Sequence, residues 1–305
     1  MDFLFNLPDI DYRNQVFYAS GIWRKPPNIT MVQFFLVGAG GGGGAGYIVS
    51  TTQGAGAGAG GGGGAITKLL IPSVFLPDEL YVNVGIGGSA GVISAAGVSG
   101  GNGVSGTATY VDLINGNNTS STLIATANGG TRGTGATVGG VSGTGGAGGV
   151  ASTISSSVYL GLGYGSFYAG GAGQSGTGTG TLSPVTTSTN LTSGGAGGSG
   201  RNSTVNRGTP GSIGGNNVYL PSLSISDSGT TYNGQNGIFS LNPFQSYGGV
   251  GGWAAQRLVG QACGGNGGDG IMGSGGGGGG GGNSGCVTTG NGGRGGDGLV
   301  IITCF

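Results

Sequence analysis

Residues 275–282 read GGGGGGGG, eight glycines without a break, and what such a run can build decides the fold of the whole chain. Residues 38–46 (GAGGGGGAG) and 54–65 (GAGAGAGGGGGA) hold only glycine and alanine. Similar tracts recur near 128–149, 169–180, 193–200, 207–215, 248–252 and 260–298. Glycine supplies 84 of 305 residues, whereas average usage is about 7%. In a regular element each glycine costs roughly 0.5–1 kcal/mol relative to alanine, because it loses the most backbone freedom on folding. Tracts like these either stay disordered or take an architecture that only glycine permits.

Composition favours the second outcome. Disordered chains combine few apolar residues with high net charge; here 35% of residues are hydrophobic, 6% are charged, and nine basic residues balance nine acidic ones. A chain this neutral would associate or precipitate if left open, so it is expected to be packed. Collagen is excluded, since there is no sustained Gly-X-Y register and proline is scarce. An extended three-fold helix of the polyproline II type has no internal hydrogen bonds and turns its amides outward. All-glycine helices of that type can approach closely and bond to one another, which pairs buried backbone groups without a side-chain core. A nine-residue tract rises about 28 Å at ~3.1 Å per residue, so several can stack side by side with their loops gathered at the two ends. The Gly–Ala alternation at 54–59 fits an outer layer that tolerates a methyl. A flexible glycine-rich linker is the competing picture.

Strands flank the tracts. Pro26 and Pro27 force an extended or turn entry into a strand over Met31–Val37. Val32, Phe34 and Leu36 fall on one face and Met31, Gln33, Phe35 and Val37 on the other. With both faces apolar apart from Gln33, burial on both sides is expected. Residues 66–71 and 80–84 read as two more strands, separated by the breaks at Pro72 and Pro77. Residues 107–113 and 123–127 form a further pair around the turn signal Asn115-Gly116-Asn117-Asn118, and residues 299–302 a closing strand. No long helix is credible, because glycine interrupts every window at about 1 kcal/mol apiece. The fold class expected is therefore mainly β with polyglycine II helices: sandwich-like strands carrying stacked glycine-rich layers, without significant α-helix. Three parts follow: an arm over 1–22, a β-rich part with the first tracts over 23–127, and a layered body with aromatic loops and the closing strand over 128–305.

The chemistry of an enzyme is missing from the sequence. There is no histidine, the commonest general base and zinc ligand. Asp78-Glu79 is the one adjacent acidic pair and sits in a turn. Lys25 and Lys68 lie outside any Gly-Lys-Ser/Thr phosphate loop, and no calcium loop is present. No catalytic residue, cofactor or metal is expected. Zero net charge removes the electrostatic basis of nucleic-acid binding, and no apolar run reaches the ~18 residues of a membrane span. The N-terminus lacks a secretory signal pattern, so Cys263, Cys286 and Cys304 read as free thiols, with a Cys263–Cys286 bridge across the longest glycine run as the alternative. What remains is surface binding. Aromatic side chains on loops offer large apolar faces at low entropic cost, and Tyr159, Tyr164, Phe167 and Tyr168, with Tyr219, Tyr232, Phe239, Phe244 and Tyr247, are the candidates. The bland alternative is that each packs beneath its loop. In the arm, Phe3, Phe5, Phe17 and Tyr18 are candidate docking residues, with an arm folded back over the body as the alternative.

At Trp23-x-x-Pro26, the strand Val32-x-Phe34-x-Leu36-Val37 running into polyglycine, Leu80-Tyr-Val-Asn-Val-Gly-Ile-Gly-Gly88, and Gly295-Gly-Asp297-Gly-Leu-Val-Ile-Ile302, the chain resembles the glycine-rich domain of bacteriophage tail fibre and tail-tip adhesins. The resemblance covers about residues 21–303 and is most specific at its two ends. It implies a sandwich of polyglycine II helices at a fibre tip, with variable loops that recognise the host surface. The implied partners are other virion proteins and a host surface glycan or membrane protein, in a homo-oligomer with a trimer foremost. The implied location is the virion, after synthesis in host cytoplasm. A purely structural fibre, filament or capsid-decoration subunit is the rival. Residues 1–22 match no known attachment module, and the strands suggest a β-sandwich that sprouts the glycine layers.

Overall fold

The computed structural model describes residues 13–49, 54–93, 95–115, 122–138, 142–151, 163–177, 185–186, 191–200, 213–214, 233–241, 244–255, 263–283 and 290–305. In chain order the strands are β1 (Asn14–Phe17), β2 (Gly21–Arg24), β3 (Met31–Val37), β4 (Ile48–Val49), β5 (Ile66–Pro72), β6 (Glu79–Asn83), β7 (Thr109–Asp112) and β8 (Leu123–Ala127). They continue with β9 (Tyr164–Tyr168), β10 (Val185–Thr186), β11 (Ile213–Gly214), β12 (Phe239–Leu241), β13 (Phe244–Ser246), β14 (Gly282–Asn283) and β15 (Leu299–Cys304). A three-residue 3-10 turn, Ser73–Phe75, is the helical content of the described residues. The protein is mainly β.

Two antiparallel sheets, ordered β1-β15-β3-β5-β9 and β2-β6-β7-β8, face each other. Alternation along each strand decides what lies between them. Trp23, Val32, Phe34, Leu36, Leu69, Ile71, Leu80, Val82, Val111, Ile124, Val300 and Ile302 form one buried cluster. Trp23 meets Phe34 edge-on, with ring centroids 6.2 Å apart. Val32, Phe34 and Leu36 are thus enclosed as their alternation predicts, and β3 and β15 clasp the two ends of the body in antiparallel register, Val37 opposite Leu299. On the other face Met31, Gln33 and Phe35 are only half-buried. There Phe244 of the β12–β13 hairpin meets Phe35 at 5.1 Å and covers part of the sheet. Burial of β3 is therefore complete on one side and partial on the other.

The segment before Trp23 contributes to both sheets. β1 pairs with β15, Asn14 opposite Thr303, and β2 pairs with β6, Trp23 opposite Leu80. Cys304 is free and buried, and burial pushes its thiol above the ordinary range, opposed by the positive charge of Arg13. Cys263 is disulfide-bonded. That corrects the reading of free thiols, which rested on the missing secretory signal. The remaining cysteine, Cys286, lies outside the described residues.

The glycine tracts are held by backbone bonds in a period of three. Gly38, Gly41, Gly44 and Tyr47 donate N–H to the carbonyls of Ala65, Gly62, Ala59 and Gly56. Ala39, Gly42 and Ala45 donate to Thr107, Val104 and Gly101; Gly40, Gly43 and Gly46 donate to Gly296, Gly293 and Gly290. Carbonyls rotate likewise: those of Ala39, Gly42 and Ala45 accept from Gly130, Gly133 and Ala136, those of Gly40 and Gly43 from Gly88 and Gly91, and those of Gly41 and Gly44 from Gly276 and Gly279. Tract 38–47 therefore touches six others. Tracts 56–65 and 273–282 do the same, and the three bond to one another.

Around that trio runs a closed circuit of nine tracts, each bonded to the next: 85–92, 290–298, 264–270, 248–255, 192–200, 170–177, 143–149, 128–136 and 100–107. Tract 233–238 adds one more beside 264–270. Three parallel rods in hexagonal contact have nine neighbours, so the pairing list is that of a close-packed lattice. Close approach requires glycine: a Cβ on Gly61 would lie 2.1 Å from the Gly41 carbonyl oxygen, and one on Gly43 would lie 2.0 Å from that of Gly277.

The rise or fall of partner numbers gives each tract's direction. Tracts 38–47, 85–92, 128–136, 170–177, 192–200, 248–255 and 273–282 run one way, and 56–65, 100–107, 143–149, 233–238, 264–270 and 290–298 run back. The strands of both sheets thus adjoin one end of the lattice; at the other, tracts 38–47, 85–92 and 128–136 end and tracts 56–65, 100–107 and 143–149 begin. The division into sandwich and glycine body is spatial and does not follow the chain at 127/128. Ala55, Ala57 and Ala59 are buried in a central tract, which corrects their placement in an outer layer. Ala55 packs with Tyr47, Val49 and Ala136 in a small apolar cluster at the end of the lattice away from the two sheets.

Candidate binding surfaces

Outer rods lack some of the six neighbours that a central rod has, and those of their amides that are shut off from water need other partners. Side chains of the adjoining rod supply them. Asn233 Oδ1 accepts from Asn266 N–H at 2.8 Å, Asn266 Oδ1 from Asn291 N–H at 3.0 Å, and Asn291 Oδ1 from Ile93 N–H at 2.9 Å. One step along, Asn236 caps Asp269 N–H at 2.9 Å and Asp269 caps Arg294 N–H at 2.7 Å. Asp297 caps Gly87 N–H at 2.7 Å. On another side of the bundle Asn102 caps Gly135, while Ser105 and Ser99 cap Arg132 and Val138. The signal was present in the sequence as Asn/Asp/Ser at every third position, in Asn233-x-x-Asn236, Asn266-x-x-Asp269 and Ser99-x-x-Asn102-x-x-Ser105, and six apart at Asn291 and Asp297. Sequence reasoning passed over it because glycine dominated the count.

The aromatic candidates do not gather at one place. Tyr164, Phe167 and Tyr168 lie on β9, the edge strand paired to β5, with Tyr168 opposite Ile66. They are at the sandwich end and are not on a loop tip. Tyr164 is 75% exposed. Phe167 packs against the inter-sheet core, and Tyr168 shares the Lys68 ammonium with Phe35, the nitrogen standing 5.8 Å and 5.4 Å from the two ring centroids. Phe239 is 37% exposed on β12. Phe244 is engaged with Phe35. Tyr247 is 3% exposed and is corrected from a surface candidate to a packing residue. Tyr159, Tyr219 and Tyr232 lie outside the described residues, as do Phe3 and Phe5. Of the arm candidates, Phe17 packs against the core and Tyr18 is exposed.

Where the arm joins the sandwich, Arg13, Gln15, Ile22, Arg24, Lys25, Pro26, Pro27, Asn28 and Ile29 line a groove of about 650 Å3. Arg24 pairs with Glu79 and Lys25 with Asp78, both at 3.1 Å, and Lys25 Nζ also donates to the Leu76 carbonyl. The one adjacent acidic pair of the sequence thus sits in surface ion pairs. Among the described residues no cluster of three His, Cys, Asp or Glu could hold a metal ion, and no helix is long and apolar enough to cross a membrane. Compared with known proteins, the chain matches no family model and no curated sequence.

Proposed function

We propose that this chain is a phage tail fibre or fibre-tip protein, with both a structural and a receptor-binding role and no enzymatic one. Its glycine tracts are polyglycine II helices in this reading, and the three-residue rotation of donors and acceptors supports that. The observation that carries the proposal is the division of labour along the rod axis. Sandwich strands, β1 and β2 among them, adjoin one end, while rods 38–47, 85–92 and 128–136 end at the other. A body cross-linked by its own backbone fixes the spacing of those rod ends, which lowers the ordering cost of binding there. The resemblance at Trp23-x-x-Pro26 and at 295–302 points the same way. The N-terminal arm docks to other virion proteins, the assembly is a homo-oligomer, and the partner at the far end is a host surface glycan or membrane protein.

The test is competition. Purified protein added to host cells should slow adsorption of the particle that carries it, and shortening the sequence between rods within 92–99 and 137–142 should abolish that effect. Undiminished competition after both are shortened would remove the far end of the body from recognition. Absence of any competition would leave the purely structural fibre or filament subunit.

A further inference from the structure

Beside the sandwich, on the flank of the glycine body, two cavities share three side chains. One of about 240 Å3 is lined by Tyr18, Asp269, Gly270, Ile271, Met272, Arg294 and residues 295–298. The other, of about 330 Å3, is lined by Tyr18, Ala19, Ser20, Val84, Gly85, Ile86, Arg294 and Asp297. We propose that this double groove, centred on Tyr18, Arg294 and Asp297 with Asp269 at one end, is a binding site for a neutral saccharide spanning two adjacent sugar rings.

The floor is bare backbone whose amides are already committed. Gly270 donates to Arg294, Gly295 to Gly88, Gly296 to Ser274 and Gly298 to Gly85. Recognition therefore falls to the walls. Asp269 accepts Arg294 N–H through Oδ1. Asp297 accepts both Gly87 N–H and the Arg294 guanidinium, the latter at 2.6 Å, through Oδ1. Among the described residues the second oxygen of each carboxylate takes no hydrogen bond, and one guanidinium nitrogen serves Asp297 while the other N–H groups of the fork stay open. These groups are held in place by the lattice itself, because the carboxylates that face the groove also cap its rods. Tyr18, 58% exposed, stands over both cavities, held by the turn in which Ser20 Oγ accepts from Val84 N–H at 3.1 Å. Opposite it the chain turns tightly: Met272 has φ 43° and Gly273 φ 80°, and a left-handed methionine is uncommon enough to mark a constrained position.

Chemistry selects the ligand class. Two carboxylates against one guanidinium that is already paired disfavour a phosphate or carboxylate. Calcium takes six to eight oxygen ligands, and among the described residues no cluster of three metal-ligating side chains is present to hold it. Ile271 and Met272 are half-buried and give the wall a small apolar patch beside the charged side chains of Asp269, Arg294 and Asp297. Sugar hydroxyls each donate and accept, matching open acceptors beside open donors, and an aromatic face at the rim covers the apolar face of a ring. This site lies at the sandwich end, apart from the far end proposed to meet the host, and does not rest on that reading.

The experiment is a chemical-shift titration of the isolated full chain with maltotriose, lactose, N,N′-diacetylchitobiose and inorganic phosphate, each to about 10 mM. At least one saccharide should perturb the amides of residues 18–20, 269–272 and 294–297. Tyr18→Ala should weaken that binding at least about fivefold, as expected for loss of an aromatic contact, and Tyr18→Phe should retain it. Asp269→Asn keeps an oxygen to cap Arg294 and changes only the outward atom, so its weakening reports on the ligand and not on folding. No shift with any saccharide, shifts unchanged in Tyr18→Ala and Asp269→Asn, or preference for phosphate would overturn the proposal. Because the titration needs no host cell, its failure is separable from failure of the adsorption competition.

Discussion

The sandwich and the glycine body lie end to end and are held together by opposite means. Between the sheets, Trp23, Phe34, Leu36, Leu80 and Ile124 are fully buried, and burying such side chains contributes about 1.5–3 kcal/mol each. In the body the fully enclosed residues of 275–282 carry no side chain at all, and their N–H groups reach eight carbonyls on neighbouring rods. Each such bond is worth only about 0.5–1.5 kcal/mol net, but leaving one unmade in the interior costs about 1–3 kcal/mol. The sandwich is stabilised by what its side chains exclude from water. The body is stabilised by completeness, and a single methyl in the wrong place breaks several bonds at once.

The sharpest way to break that contrast is Gly61→Ala. Its Cβ would sit 2.1 Å from the Gly41 carbonyl oxygen, so two central rods must separate. The expected loss exceeds about 4 kcal/mol, read as lost amide protection through 275–282 in hydrogen exchange; unchanged protection there would show that the tracts are tethers and not a lattice. Phe34→Ala attacks the other region by removing the side chain under Trp23. A loss of about 3–4 kcal/mol is expected in denaturant unfolding. Two residues from Gly61, Ala59→Gly removes a buried methyl and adds backbone freedom, for about 1–2 kcal/mol, so opposite exchanges in one tract should differ clearly in cost. Asn266→Ala uncaps the Asn291 amide for about 1 kcal/mol, and faster exchange confined to that amide checks it. Last and smallest in its effect on stability, Cys304 should resist iodoacetamide at pH 8 in the folded protein, because burial holds its thiol protonated.

Much of the sandwich was legible because side chains carry the pattern. Alternation over Met31–Val37 placed β3, although it gave burial on both faces where only the Val32, Phe34 and Leu36 face is fully enclosed; the apolar run after Asp297 placed β15, and residues 123–127 placed β8. β7 begins later than its residues suggest, at Thr109, because Thr107 still serves the lattice as an acceptor for Ala39. β1 and β2 were read as part of an arm, since four-residue strands at a sheet edge carry little periodicity. The candidate aromatics were legible as a class, but not as a surface. Tyr164 is open while Tyr247, in equally glycine-rich surroundings, is enclosed, and nothing local distinguishes them.

The sequence by itself narrowed the glycine tracts to two outcomes, packing against one another or serving as linkers, and marked roughly where many of the tracts lie. It also marked β3, β5, β6, β7, β8 and β15 as strands. Tertiary structure decided which rod lies beside which, the direction of each, and the two-ended arrangement that follows. The physical reason is that polyglycine has no side chains with which to encode a partner. Any tract could bond to any other, so neighbours are assigned by the strands that flank several of the rods at one end and by the asparagines, aspartates and serines that close the lattice at its rim.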